Sequence, residues 1–497
     1  MSKNKTNSMR NYVITMFVTN KSHGFFAAIQ NRRIRMEAAL QKKNEITEGI
    51  IWRQLLKFFF PIVFGTFFQQ LYNTADAMIV GRFVGKEALS AVGGTTSVLI
   101  NLLIGFFVGL SSGATVVLSY YYGGKQEEQV KKVVHTAITL ALAGGVVLMI
   151  VGSLVAPFAL EKMGTPAEIM EHSLTYIRIY FFGTIPNLIY NMGAGLLRAV
   201  GDSKRPLYFL IASCFTNIVL DLLLIVVFKM GVAGAAWATI LSQVVAAILV
   251  CVVLMRTKEC YRLRVQELKI HGSLLSRIVQ IGLPAGFQSV MYSLSNVIIQ
   301  SHINSFGTDT VAAWSAYSKI DGIFWMIMGA FGVAITTFVG QNHGAGQNDR
   351  VKKSVWVCWG MAAGTSVMLS IVLLCFGQYV FLLFTDDVIV LEKGMEILRF
   401  LAPMFITFVS IEIFSGALRG MGKSFIPLLL TCFGVCVFRI VWITIMVPIK
   451  PDIFTVIFSY PLTWSTTSVL FLIYYLITIR KMGMKATSDT LRSDLRS

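Results

Sequence analysis

Long, nearly uninterrupted apolar runs dominate this sequence, and short stretches rich in Gly, Pro or charged residues separate them. Each run is about twenty residues long, the length that a helix needs to cross about 30 Å of hydrocarbon. The strict two-residue alternation of a membrane β-barrel is missing. The runs predict about twelve transmembrane helices, near 56–81, 90–119, 134–158, 174–198, 206–228, 232–255, 277–304, 313–340, 355–384, 396–418, 425–448 and 455–479.

The composition excludes a chain of soluble domains. Of the 497 residues, 55% are hydrophobic and 14% are charged, and the mean hydropathy is +0.69. The formal net charge of +18 does not indicate a nucleic-acid partner, because the basic residues lie in tails and short loops rather than on a soluble face. We therefore predict an all-α polytopic membrane protein that contacts the lipid bilayer and binds no nucleic acid.

The basic residues are concentrated in alternate loops. The connections after the second, fourth, sixth, eighth and tenth spans each carry several Lys or Arg residues, such as Lys131 and Lys132 or Arg262 and Arg264, and the other connections carry few. Loops with this excess stay in the cytoplasm. The pattern favours twelve spans in the cell membrane with both termini cytoplasmic.

An internal repeat divides the chain. The segment 197–206, Leu-Arg-Ala-Val-Gly-Asp-Ser-Lys-Arg-Pro, returns 221 positions later as Leu-Arg-Gly-Met-Gly-Lys-Ser-Phe-Ile-Pro at 418–427. The same shift relates Gly123 to Gly344, Gln126 to Gln347, Val130-Lys131-Lys132 to Val351-Lys352-Lys353 and Arg178 to Arg399, while Pro61 with Pro284 and Asn73 with Asn296 differ by 223. Each copy contains six spans, so both enter the membrane from the same side, as in transporters whose halves are related by an axis along the membrane normal.

This repeat predicts two pseudo-symmetric six-helix lobes. We place a basic cytoplasmic extension at 1–50, a first lobe at 51–255, a cytoplasmic linker at 256–276, a second lobe at 277–480 and a cytoplasmic tail at 481–497. The pattern would also be whole if translation began at Met36.

One carboxylate, Asp76, lies within the first span. An ionised Asp at the bilayer centre costs about 2.5–3.5 kcal/mol, so such residues usually face a wet cavity and mark an ion or proton route. Asp76 is therefore a functional candidate. The alternative is a structural role, in which it hydrogen-bonds neighbouring helices or lies near the outer interface.

A second group of polar residues lies at one depth in three other spans. Asn187 and Asn191 are four residues apart, as are Asn217 and Asp221, so each pair shares a helical face. Thr239 of the sixth span is at a similar depth. Carboxylate, amide and hydroxyl oxygens suit a hard cation such as Na⁺, and a desolvated Asp suits a proton carrier. A purely structural hydrogen-bond network is the alternative.

The second repeat does not copy this group, because Phe438 and Trp442 stand at the images of Asn217 and Asp221. Other polar residues in or beside spans are candidates for a substrate cavity, which some of the 36 Phe and 22 Met residues would also line. The candidates are Gln69, Gln288, Lys319, Asp321, Glu412 and Arg439.

The sequence has no catalytic or metal motif that would indicate an enzyme. Gly422-Lys423-Ser424 resembles the end of a phosphate loop, but Ala417 stands where that motif needs a Gly. Cys432 and Cys436 lack the second ligand pair of a zinc site, and we interpret the seven cysteines as small core residues. We expect a transporter without a cofactor.

Three motifs together resemble the multidrug and toxic compound extrusion (MATE) family over roughly residues 45–480: the stretch 73–85, Asn-Thr-Ala-Asp-Ala-Met-Ile-Val-Gly-Arg-Phe-Val-Gly, the turn at 341–346, Gln-Asn-His-Gly-Ala-Gly, and the paired Leu-Arg loops. The resemblance implies two lobes around a V-shaped cavity and an antiporter that exports organic cations and other drugs in exchange for Na⁺ or H⁺. It implies coupling roles for Asp76, Asn187, Asn191, Asn217, Asp221 and Thr239, with Na⁺ a candidate ligand of Asp76, Asn217 and Asp221. We expect the protein to be a monomer.

Two alternatives remain at this stage. A flippase for lipid-linked oligosaccharides would have a related fold, but its cavity would need several Arg or Lys residues for a pyrophosphate, and only Lys319 and Arg439 are candidates. A membrane receptor or scaffold would need no buried acids at matched depth.

Overall fold

The computed structural model describes residues 45–494, so most of the predicted N-terminal extension, including Met36, lies outside the described residues. The chain separates into a unit at Met1–Gly49, in which Glu45–Glu48 form one helical turn, and a unit at Ile50–Ser497. The second unit contains helices and turns, and its described residues include no strand. The predicted all-α class is confirmed.

The second unit is a bundle of long helices. We label them α1 (Ile51–Phe83), α2 (Lys86–Gly123, broken at Gly94), α3 (Glu127–Lys162), α4 (Ala167–Phe182 and Thr184–Ala199), α5 (Lys204–Val227), α6 (Gly231–Arg256), α7 (Gly272–Ile303), α8 (Thr308–Gly344), α9 (Asn348–Phe381), α10 (Val388–Gly420), α11 (Phe425–Ile449) and α12 (Ile453–Met482).

Ten helices in the described part are long and apolar enough to cross a membrane. The other two, α4 and α7, are of comparable length but are not among these ten. They lie where the fourth and seventh spans are expected. The structure therefore confirms a polytopic helical protein, and the count of twelve crossings stays a prediction.

The repeated Leu-Arg loops adopt the same backbone conformation. Gly201 and Gly422 both have positive φ, 93° and 77°, which glycine adopts without steric cost. In both loops the next residue donates its N–H to the carbonyl at the start of the motif, from Asp202 to Leu197 and from Lys423 to Leu418, each over 2.9 Å. The repeat is thus structural as well as sequential.

We call α1–α6 the N-terminal half and α7–α12 the C-terminal half. The two halves meet most extensively where α2 crosses α7. Glycines form this crossing: a methyl group added to Gly109 would collide with the backbone of Gly286, and one added to Gly282 would lie 2.6 Å from the carbonyl oxygen of Leu110. Small residues let membrane helices approach this closely. The helices therefore touch through their backbones.

The contact continues to the ends of α2 and α8, beside the basic loops. A methyl group on Gly123 would meet the carbonyl of Gln341, and one on Gly344 would meet the carbonyl of Tyr120, so the two repeat-related glycines make reciprocal contacts. Gln341 Nε2 also donates to the carbonyl of Ala199 across the two halves, over 2.6 Å. We call these contacts, from Gly109 to Gly344, the glycine seam.

The segment between the halves is fastened to α3. The backbone N–H of Arg264 donates to His135 Nε2 over 3.1 Å, and Glu267 pairs with Lys131 at 2.6 Å. The hydrogen bond from Lys131 holds the pKa of the Glu267 carboxyl below its usual range. The ion pair of Glu267 with Lys131 is therefore fully formed at neutral pH and is lost only as the pH falls through that lowered pKa.

We predict that Gly344→Ala opens the glycine seam, because the added methyl group would collide with the backbone of α2. Overpacking of this kind costs about 1–3 kcal/mol, and 1.4 kcal/mol changes a population ratio about tenfold. Spin labels at exposed Gln126 and Asp349, in a cysteine-free background, should show a longer and broader distance distribution.

Gly329→Ala is the matched control, because it adds the same group to α8 where no atom lies within 4 Å. It should leave the distance distribution unchanged. An unchanged distribution in Gly344→Ala as well would show that the seam does not hold the halves together.

Candidate functional site

A cavity of about 820 Å³ lies beside the first half of α2, before that helix enters the glycine seam. Its walls come from α1, α2, α4 and α6, and the C-terminal half contributes Lys319. Most lining side chains are polar, and in the described part Met78 is the only Met or Phe among them. The expected Phe- and Met-rich cavity is therefore not what this part of the chain forms.

Asp76 lines this cavity and is only 7% exposed. Its Oδ1 atom has no hydrogen-bond partner among the described residues. Three tyrosines, Tyr72, Tyr176 and Tyr180, are close enough to interact with it electrostatically. The rings of Tyr176 and Tyr180 stack at 5.9 Å. Asp76 thus lies beside tyrosine rings, and one of its carboxylate oxygens accepts no hydrogen bond from the described residues.

Asn217 and Asp221 lie on α5, outside the cavity lining, and both are 0% exposed. Neither Asn217 Oδ1 and Nδ2 nor the two Asp221 oxygens have a hydrogen-bond partner in the described part of the chain. Asp221 ends the α-helical part of α5, and the next six residues, Leu222–Val227, form a π-helix, a feature that often marks functional sites. Asp221 also interacts electrostatically with Asp76.

These unpaired atoms are costly. Each buried polar group without a partner costs about 1–3 kcal/mol, and charged groups cost more. A proton or a hard cation placed between the carboxylates would remove part of that cost, because carboxylate and amide oxygens are its preferred ligands. In the structure the carboxylates of Asp76 and Asp221 are close enough to interact electrostatically, and Asn217 lies one turn before Asp221 on α5. A shared coupling role for the three residues stays a prediction.

The other predicted coupling residues are placed differently. Asn191 Nδ2 donates to Asn187 Oδ1 over 3.0 Å, and the Asn191 carbonyl accepts from Ser111. This pair is therefore satisfied locally on α4. Thr239 lines the cavity, interacts with Tyr176, and donates to the Ala235 carbonyl over 3.0 Å. A coupling role for Asn187 and Asn191 stays a prediction.

The structure separates the predicted cavity residues into different places. Lys319 lines the cavity. Gln69 is exposed and interacts with Tyr72, whereas its neighbour Gln70 lines the cavity. Gln288 is hydrogen-bonded to Thr431 over 3.0 Å, away from the lining residues.

Asp321 does not pair with Lys319. Its Oδ1 accepts from the hydroxyl of Tyr317 over 3.3 Å, and its Oδ2 accepts from Nε1 of Trp325 over 2.6 Å. Both partners lie one turn away on the same helix, as expected for positions four residues apart.

Glu412 and Arg439 are inside the C-terminal half. The Glu412 carboxylate occupies the space beside Gly332, where a methyl group would collide with it. Arg439 is 2% exposed, its guanidinium lies 4.0 Å from the centre of the Tyr460 ring, and its Nη2 donates to Thr463 over 3.1 Å. No carboxylate within the described residues lies within 4 Å of it.

The tyrosines around Asp76 were missed from the sequence. Tyr176 and Tyr180 are four residues apart, the same spacing that drew attention to Asn187 and Asn191. That spacing placed their rings on one face, but nothing in the sequence showed which face meets the cavity.

Comparisons with known proteins agree with the internal repeat and with the fold. A family model described as MatE matches residues 61–223 and again residues 284–445, so the matches begin 223 positions apart, at the prolines of the expected repeat. The relatives include "Probable multidrug resistance protein YoeA" of Bacillus subtilis, 28% identical over 402 residues that cover 80% of this chain and 86% of that protein. A "FAD transporter" of Shewanella oneidensis is 24% identical over 71% of this chain and 78% of its own length.

Solved structures share the fold. A MOP superfamily transporter from Pyrococcus furiosus matches with a TM-score of 0.83 at 22% identity, covering 89% of this chain and 99% of that one. A multidrug resistance MATE family transporter described in an outward-facing conformation gives the same values.

We expect Arg439→Met to leave thermal stability unchanged or to raise it by up to about 1–4 kcal/mol, because it removes a buried charge without orphaning a carboxylate. Thr463 keeps its hydrogen bond to the Ser459 carbonyl. The measurement is thermal unfolding in detergent, with Arg439→Lys as the comparison, which keeps the charge and loses the planar stacking on Tyr460. A clear loss of stability in Arg439→Met alone would contradict this account.

Proposed function

Because the chain belongs to the MatE, or multidrug and toxic compound extrusion, family, we propose that it is an antiporter that exports drugs and other small organic molecules in exchange for Na⁺ or H⁺. The observation that carries the proposal is the pair of buried acids Asp76 and Asp221, which interact electrostatically and have unpaired oxygens. Asp76 lines a cavity of drug size, and the unpaired amide of Asn217 lies one turn from Asp221. The relatives named for multidrug resistance support export as its direction.

The charges of Asp76 and Asp221 would couple ion entry to drug export. A bound proton or cation stabilises the state in which the two carboxylates share it, and a ligand shifts an equilibrium only by its differential affinity for the two states. An organic cation that pairs with Asp76 competes for the same charge. The ion and the drug therefore do not bind at the same time. In each exchange the ion must leave before the drug binds, or the drug must leave before the ion binds.

The movement between outward and inward access takes place at the glycine seam. With both termini in the cytoplasm, the seam closes the cytoplasmic end and the cavity is open to the outside. Inward access requires the seam to part while the opposite ends of the halves approach, as in other transporters built from parallel repeats. A monovalent cation that enters gains about 2.3 kcal/mol per 100 mV of membrane potential. We propose that a single chain does this work.

The flippase alternative predicts several Arg or Lys residues in the cavity to hold a pyrophosphate. The described lining contains only two lysines, one from each half, beside Asp76, and Arg439 is not part of it. We therefore favour the ion-coupled antiporter.

The test is efflux of a fluorescent organic cation from proteoliposomes, with a Na⁺ gradient or a pH gradient imposed separately. We expect one gradient to drive movement, and Asp221→Asn and Asp76→Asn to reduce the coupled rate at least tenfold, since each removes one of the two charges. Asp309→Asn is the control, because that exposed acid lies at the start of α8 beside Lys393. Unchanged export in Asp221→Asn under both gradients would remove the coupling assignment.

A further inference from the structure

Lys319 has an unusual position. Among the described residues that line the cavity, it is the only one from the C-terminal half, and all the others come from α1, α2, α4 and α6. Any molecule that touches both Lys319 and the opposite wall therefore contacts both halves. The side chain is exposed to the cavity rather than buried in the bundle.

Lys319 also has a free charge. No carboxylate in the described part of the chain lies within 4 Å of it, and Asp321, the acid nearest in sequence, is occupied by Tyr317 and Trp325. The second lysine of the lining, Lys86, has no ion-pair partner within the same residues either. The described lining thus has two ammonium groups without an ion-pair partner against one carboxylate, Asp76.

The rest of the lining suits an aromatic body. The stacked rings of Tyr176 and Tyr180 form part of the wall, and the amides of Asn73 and Asn101 offer hydrogen bonds. A volume of about 820 Å³ lies within the range of pockets that enclose drug-sized molecules.

We propose that the preferred substrates are amphoteric: a cationic or polar aromatic body that lies against Tyr176 and Tyr180 near Asp76, and a carboxylate, sulfonate or phosphate group that pairs with Lys319. Lys86 adds a second, longer-range attraction for the acidic group. The inference rests on the proposed function and narrows its substrate class. A purely cationic molecule gains binding energy from Asp76 but leaves the charge of Lys319 unpaired.

The experiment compares rhodamine B, which carries a free carboxylate, with its ethyl ester, which has the same cationic ring system without that charge. Binding to the purified protein in detergent is measured by fluorescence anisotropy. We expect the free acid to bind about tenfold more tightly than the ester, a typical effect of one charge-assisted pair. In Lys319→Gln the ratio of the two dissociation constants should fall to about one, and in Lys319→Arg it should remain.

The matched control is Lys393→Gln, which removes a partly exposed lysine that lies beside Asp309 and Thr310, outside the cavity lining. It should keep the tenfold ratio. Size-exclusion profiles establish that each variant is folded, and Lys319→Arg keeps the proposal testable if Lys319→Gln is unstable.

Two results would overturn the proposal. One is equal affinity for the acid and the ester in the unaltered protein. The other is an equal loss of both affinities in Lys319→Gln, which would mean that the lysine shapes the cavity instead of recognising the acid. Equilibrium binding needs no ion gradient, so a failure of coupled transport would leave this measurement intact. Coupled transport with no preference for the acid would overturn this inference alone.

Discussion

A lipid bilayer offers no water to polar groups, and this constraint governs the whole chain. The backbone satisfies it by running through long helices, and several buried hydroxyls donate to a carbonyl one turn earlier, as Thr239 and Thr336 do. Among the described side chains with buried, unpaired atoms, Asp76 on α1 and Asp221 on α5 are the only carboxylates, and Asn217 on α5 has both of its amide atoms unpaired. A folded membrane protein keeps such unpaired groups where a proton, an ion or a substrate supplies the missing partner during function.

Much of the architecture could be predicted from the sequence, because apolar length and repeated loops are direct consequences of the membrane and of duplication. The matching conformations of Gly201 and Gly422 follow from the same residue at the same point of each repeat. Asp76 and Asp221 could also be singled out from the sequence, since charge is rare in apolar runs. The rotation of each helix was not, and it decides that Gln70 instead of Gln69 lines the cavity.

The two halves have diverged in charge while keeping one fold. The N-terminal half buries two interacting acids, and the C-terminal half buries Arg439 on the ring of Tyr460. Partners four residues apart on one helix satisfy Asp321, so the sequence pair of Lys319 and Asp321 is divided between the cavity and the protein interior. Spacing alone could not reveal this division, because adjacent helices determine which side of α8 faces the cavity.

The glycine seam also has a consequence for how this protein changes over generations. Every glycine codon is one base substitution from an alanine codon, and at Gly109, Gly123 or Gly344 the added methyl group meets backbone that cannot rotate away. Random mutation at these positions therefore pushes the halves in one direction only, apart. One base substitution can therefore disrupt the closed seam, and only a return to glycine at the same position restores it.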